Sequence, residues 1–183
     1  ISSGAVYGEQ PSEILRISEG YRGAPVTINI NSAYGESKRV SEFYCVNYAK
    51  EFDINVKIAR CFAFLGPNLP LNINLDAGNF VRDALRGGPI CVKSNKRVDR
   101  SYLYSADLII WLWTILFTGK TNKPYNVGSS KPCSILALAD LVAGVFSPKI
   151  EIKIQNITKN NRRPVEHYIP DTKLAQKELG LRQ

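Results

Sequence analysis

Methionine is absent from the 183 residues, histidine occurs once and tryptophan twice. A chain without methionine, opening on Ile1-Ser2-Ser3, which reads as the tail of a strand, is expected to be cut or processed from a longer protein. The shortage of histidine narrows the chemistry. His167 stands alone, and the four cysteines, Cys45, Cys61, Cys91 and Cys133, have no C-x-x-C spacing, which argues against a zinc centre. These thiols are expected to be free and buried, as in a reducing cytoplasm. Long apolar runs are also missing: the longest, Leu108 to Phe117, is about half of the roughly 20 residues a membrane-spanning helix needs, and it is expected to form a buried helix. No basic leader-type segment precedes an apolar one. A cytoplasmic protein with no membrane partner is the resulting expectation. The net charge is +8, but apart from Lys93–Arg97 and Arg162-Arg163 the basic residues are scattered. Without aromatics interleaved among them, no nucleic-acid partner is expected. A basic surface also suits phosphate-bearing metabolites.

What is present reads as alternating helices and strands. Gly4 to Ala33, with Gly8, Pro11, Gly20, Gly23 and Pro25, is a long irregular stretch, and loops of that length in compact domains are usually functional. Ser32 is placed to cap a helix from about Ala33 to Phe52, with Val40, Phe43, Tyr44, Asn47 and Tyr48 sharing one face. Asn55 to Ala59 suits a strand. Asp76 or Asn79 opens a helix that Gly87-Gly88-Pro89 stops. Short extended segments are expected at Ile90–Val92, Arg100–Tyr104, Tyr125–Val127 and Glu151–Ile154. Ser105 or Asp107 is read as the cap of the apolar helix and Ser134 as the cap of the next, and Asp171 begins a last helix ending at Gly180. Helix and strand in this rhythm indicate an α/β sheet.

The residues that carry chemistry are Tyr34 and Lys38. At i and i+4 on a helix they lie one turn apart on the same face. An adjacent ammonium favours the phenolate form of a tyrosine, so the pair can move a proton on or off a hydroxyl. Alone, Y-x-x-x-K also occurs on solvated helix surfaces. About thirty residues upstream, however, Ser2-Ser3 ends a strand, where α/β sheets bind ligands, and a serine there can share a hydrogen bond with the oxygen that Tyr34 addresses.

The ordered blocks SSGAVYG, SAYGESKRVSE, KIARCFAFLGP, GNFVRDALRGGPI, RSYLYSADL and PYNVGS resemble the extended short-chain dehydrogenase/reductase family of NAD-dependent nucleotide-sugar epimerases and dehydratases. The resemblance covers nearly the whole chain. It implies Ser3, Tyr34 and Lys38 as the catalytic set. It also implies Ser2, Tyr34, Lys38, Cys61 and Phe62 around NAD or NADP, and Ser3, Asn79, Val92, Arg100 and Arg163 around a nucleoside-diphosphate sugar. The implied fold is the C-terminal part of a Rossmann-type parallel sheet, residues 1–62, followed by a small α/β substrate-binding domain, 63–183, from which about 100–128 returns to the sheet. Relatives often form homodimers through the Tyr/Lys helix, here about 33–52.

Departures from the family pattern refine the chemistry. Similar 4,6-dehydratases carry an Asp-Glu pair where this chain has Gly4 and Ala5, and decarboxylases usually have Glu in place of Ala5. Ala63 replaces a common asparagine. The remaining Ser/Tyr/Lys set suffices for epimerisation or keto-reduction at C4. A dehydratase-like enzyme and a non-catalytic binding module are the alternatives. No G-x-x-G-x-x-G loop is present, so this chain is expected to hold NAD poorly, to be inactive alone, and to leave apolar strand edges exposed.

Overall fold

The computed structural model describes residues 1–72, 75–93, 97–156 and 164–183. A first sheet is wholly parallel. Its middle strand, β2 (Ile58–Cys61), pairs with β1 (Ser2–Ser3) on one side and with β7 (Pro124–Val127) on the other. Helix α1 (Ala33–Glu51) packs against β1, and α3 (Ser105–Thr118) packs against β2 and β7. Parallel strands covered by helices on both faces tend to be apolar throughout, and Ile58, Ala59, Tyr125 and Val127 are buried accordingly. A core of Ala59, Leu103, Trp111, Ile115, Tyr125, Val127 and Leu181 joins this sheet to α3 and to the closing helix α5 (Lys173–Leu179).

A second group of elements builds its own core. Strands β4 (Ile90–Val92) and β9 (Ile152–Ile154) pair in parallel. Over them lie α2 (Asp76–Leu85) and α4 (Ile135–Gly144), bringing Ala77, Phe80, Ala84, Ile90, Val92, Leu138, Ala139 and Ala143 together. Three short ladders connect the groups. The strands β3 (Ala63–Leu65) and β6 (Tyr102–Tyr104) are parallel, β5 (Val98–Arg100) runs parallel to β10 (Glu166–Tyr168), and β5 runs antiparallel to β8 (Cys133–Ser134).

Several expectations are corrected. Ser32 makes no side-chain cap. It lies in a helical turn, Ile30–Ser32, whose own cap is Asn29, the Asn29 Oδ1 accepting from the Asn31 N–H at 3.0 Å. Neither Ser105 nor Asp107 caps α3, because the chain enters that helix from Tyr104. Ser134 does cap α4, its Oγ accepting from the Ala137 N–H at 3.1 Å. The strand expected over 55–59 lies at Ile58–Cys61, in register with β7 rather than with the β-branched run. The apolar face of α1 is in the open: Val40, Phe43, Tyr44 and Tyr48 are exposed, and the buried residues of that helix are Gly35 and Ala49. Cys45 is exposed with that face, while Cys61 is buried as expected. The run at α3 is buried on one stripe only, Trp111 and Ile115; Ile109, Ile110, Trp113, Leu116 and Phe117 face outward. No helix among the described residues is long and apolar enough to cross a membrane.

Candidate active site

The site forms at the carboxyl ends of β1 and β2, where the chain leaves the sheet into a tight turn over Gly4–Tyr7. Ser3 caps that turn, its Oγ accepting from the Ala5 N–H at 3.2 Å. Two glycines set the spacing. A Cβ on Gly4 would stand 2.6 to 2.8 Å from the ring carbons of Phe62. A Cβ on Gly35 would stand 2.7 Å from the Ala5 carbonyl oxygen and from Pro25. These close approaches seat the first turn of α1 directly on the loop that follows β1, which places Tyr34 beside it.

Tyr34 is 58% exposed and Lys38 stands one turn further on. The Lys38 ammonium lies 5.8 Å from the centre of the Tyr34 ring and donates to the Ile1 carbonyl at 3.2 Å. Behind them, burial pushes the Cys61 thiol up to about 11, with Lys38 acting in the opposite direction. The ring of Phe62 packs on Tyr168, 4.7 Å between centres, and on Tyr7, at 6.3 Å. Tyr168 makes a side-chain polar contact with Ser3 and is electrostatically coupled to Tyr34. Burial raises its pKa, and the contact with Ser3 opposes that rise.

A buried polar lattice supports this floor. The Tyr7 hydroxyl donates to Asn126 Oδ1 at 2.8 Å and accepts from Arg60 Nη1 at 2.9 Å. Arg60 is held by Glu42 through two bonds, of 2.9 and 2.6 Å. Burial raises the Tyr7 phenol to about 12 against the pull of Arg60. Burial would also raise Glu42, but the hydrogen bonds from Arg60 and Ser2 and the charge of Arg60 hold that carboxyl below its ordinary value. Tyr7 is therefore a structural phenol.

The remaining expected site residues fall in several places. The Ser2 hydroxyl is turned to the α1 side and donates to Glu42 Oε1 at 2.5 Å. Asn79 lies inside α2 rather than at its end: its N–H is bonded to the Leu75 carbonyl, and its Oδ1 accepts from Arg82 Nη1 at 2.8 Å. Val92 is fully buried in the second core. Arg100 stands at the end of β5, its guanidinium carbon 5.9 Å from the centre of the Tyr168 ring and its buried Nε without a partner. It also faces a small cleft beside Asp76, Leu75 and Tyr102. Arg163 lies outside the described residues. The structure brings Ser3, Tyr34, Lys38, Cys61 and Phe62 together at one end of the sheet; Ser2, Asn79 and Val92 do not join them.

The participation of Tyr168 was not foreseen in the sequence. The segment Val165–Ile169 carries no clean period-two alternation, with Glu166 beside His167, and only the parallel pairing of β10 with β5 carries Tyr168 to Phe62. An open cleft of about 410 Å³ lies in front of Tyr34, bordered by Ala5, Tyr7, Tyr21 and Tyr168 and by the loop carrying Asn29 and Asn31.

The model of the NAD dependent epimerase/dehydratase family matches residues 1–128. The chain belongs to that family. This family member is 31% identical over 179 residues to UDP-glucuronic acid decarboxylases 5 and 3 of Arabidopsis thaliana, with 98% of its own length aligned. It is 29% identical to UDP-glucuronic acid decarboxylase 1 of Xenopus tropicalis. It spans about half the length of the curated Arabidopsis relatives it matches, 51% for both. In fold it is similar to the UDP-glucose 4-epimerase of Thermotoga maritima, with a TM-score of 0.83 at 22% identity, covering 98% of this chain and 55% of that one. The UDP-glucuronic acid 4-epimerase of Bacillus cereus gives a TM-score of 0.78, also at 22% identity, covering 99% and 52%. The mixed α/β architecture with parallel sheets is that of these neighbours.

Proposed function

We propose that this chain is the catalytic and sugar-binding portion of an enzyme that epimerises or keto-reduces a nucleoside-diphosphate sugar at C4. The observation that carries the reading is the gathering of Ser3, Tyr34 and Lys38 at the carboxyl end of β1. Tyr34 moves the proton on and off the C4 oxygen, Ser3 shares the hydrogen bond to that oxygen, and Lys38 favours the phenolate of Tyr34. Bound NAD or NADP supplies the hydride acceptor and donor. An ammonium beside an open phenol, with buried Cys61 and Phe62 behind, suits a ribose and the edge of a nicotinamide ring, so Lys38, Cys61 and Phe62 are the residues that would hold that end of the cofactor. The pyrophosphate end needs a glycine-rich turn that these 183 residues lack, so the chain on its own is inactive in this reading.

Decarboxylation and dehydration are disfavoured although the relatives include decarboxylases. Gly4 and Ala5 cannot transfer protons, and Phe62 occupies the space a side chain at position 4 would need. Residues 1–62 act as the cofactor-side unit and 63–183 as the substrate-side unit, with the pairing of β7 to β2 supporting the return of about 100–128 to the first sheet. Arg100, whose Nε lacks a partner, is the anion-binding candidate for the substrate pyrophosphate. The exposed face of α1 suits a homodimer through residues 33–52, in the cytoplasm.

The test is to express the open reading frame together with its upstream region and to measure turnover on UDP-, dTDP-, GDP- and CDP-sugars. Tyr34→Phe is expected to lower kcat by about 100-fold or more. Full activity in Tyr34→Phe overturns the mechanism.

A further inference from the structure

The cleft in front of Tyr34 has a wall chemistry that speaks to the sugar itself. Among the described residues bordering it, Tyr7, Tyr21, Tyr34 and Tyr168 supply rings and Asn29 and Asn31 amides, beside an apolar edge of Ala24, Pro25 and Val26. The one charged side chain on the described wall is acidic, Glu9. Ala5 adds a methyl where the turn after Ser3 meets the cleft.

The nearby described cations lie off the wall of the cleft. Arg39 Nη1 donates to the Val6 and Gly23 carbonyls at 3.2 and 3.3 Å. Arg60 is clamped by Glu42 beneath the floor. Arg100 lies beside the ring of Tyr168, and the Lys38 ammonium reaches the Ile1 carbonyl. None of these four borders the cleft.

Aromatic faces flanked by amides and hydroxyls suit a neutral, hydroxyl-rich ring. A ligand carboxylate placed there loses water, gains no cation among the described wall residues, and meets the charge of Glu9. Discrimination by an unpaired or opposed charge is stronger than discrimination by an extra methyl group.

We infer that the cleft selects a nucleoside diphosphate carrying an uncharged hexose and rejects the corresponding uronic acid, with Glu9 as a specificity-determining residue. The inference rests on the nucleotide-sugar reading proposed above and adds the charge state of the sugar. It sets this chain apart from relatives whose names specify UDP-glucuronic acid.

The test uses the protein expressed from the whole open reading frame and direct binding by saturation-transfer NMR and calorimetry. The probes are UDP, UDP-glucose and UDP-glucuronic acid. Glucose 1-phosphate and glucuronic acid 1-phosphate, which carry no base, are titrated in parallel. The neutral member of each pair is expected to bind about ten-fold tighter than the acid. Glu9→Gln should narrow that ratio, and Glu9→Lys, at an exposed position where folding is undisturbed, should bring it to one or invert it. Equal or tighter binding of the uronic acid to the unaltered chain overturns the inference while leaving the nucleotide-sugar reading in place. A preference for the neutral sugar that neither Glu9 variant moves overturns the role of Glu9. Failure to bind any of the five probes overturns the nucleotide-sugar reading and this inference with it.

Discussion

Helix α1 has 19 residues and buries two of them, whereas α2 has 10 and buries four. The shorter helix belongs to a finished core, in which Phe80, Ile90, Val92 and Ala139 are at most 2% exposed. The longer one presents Phe43, Tyr44 and Tyr48 to solvent, and α3 likewise presents Trp113 and Phe117. Apolar surface of that extent is uncommon on a self-sufficient domain. The contrast shows that the group built on β4, β9, α2 and α4 carries its own packing. The group built on β1, β2 and β7 holds Ser3, Tyr34 and Lys38 in place by a polar lattice and glycine contacts while its outer helices are left open.

The sharpest way to break that contrast is a pair of truncations. Phe80→Ala should cost about 3–5 kcal/mol, the range for a buried aromatic, whereas Phe43→Ala should stay within about 0.5 kcal/mol, as for surface positions. Urea unfolding of the two variants measures both, and comparable losses would mean that α1 is buried in solution. Next in size, Arg60→Ala strands the partly buried Glu42 carboxylate and should cost about 3 kcal/mol. The sign with pH follows from the lowered Glu42 pKa. The contribution of the pair is complete above the ordinary carboxylate value of 4.5 and fades as pH falls through the lower folded value. The Arg60→Ala variant should therefore lose part of the acid-side dependence seen in the parent chain, read from unfolding midpoints between neutral and acid pH. Gly4→Ala comes third, at about 1–3 kcal/mol, the usual range for overpacking, with the perturbed aromatic packing visible in near-ultraviolet circular dichroism. Tyr168→Phe keeps the ring on Phe62 and removes only the contact with Ser3, so its effect on stability should be about 1 kcal/mol or less.

The sequence carried the elements built on local signals. The Ser134 cap, the Gly180 terminator of α5 and the strands at Ile90–Val92 and Pro124–Val127 stand where composition and pattern place them. The caps that failed, at Ser32 and Ser105, failed because entry into those helices is fixed from outside: Gly35 rests on Ala5, and Tyr104 enters α3 from the β3–β6 ladder. The faces of α1 and α3 were legible as apolar but not as uncovered, since a periodic pattern shows which face of a helix is apolar and not what packs on it. Within the candidate site, the spacing of Tyr34 and Lys38 was weak by itself and pointed to chemistry only beside the ordered family blocks, which are also what implied Ser3. Tyr168 was not legible, because it reaches Ser3 through a parallel pairing of residues 68 positions apart, Tyr168 with Arg100.

The contact between Gly4 and Phe62 also bears on how such a site could diverge. A lineage turning this chain toward water elimination would have to install a carboxylate beside Ser3. Position 4 is closed to any side chain while Phe62 keeps its place against Tyr7 and Tyr168. The two changes are therefore contingent on each other. A carboxylate at position 4 first clashes with the ring, and a smaller residue at 62 first opens a void under Tyr168. Either order passes through a weakened ancestor. The missing acid is thus entrenched by its neighbour, and recruiting new chemistry at this position would take a concerted pair of substitutions.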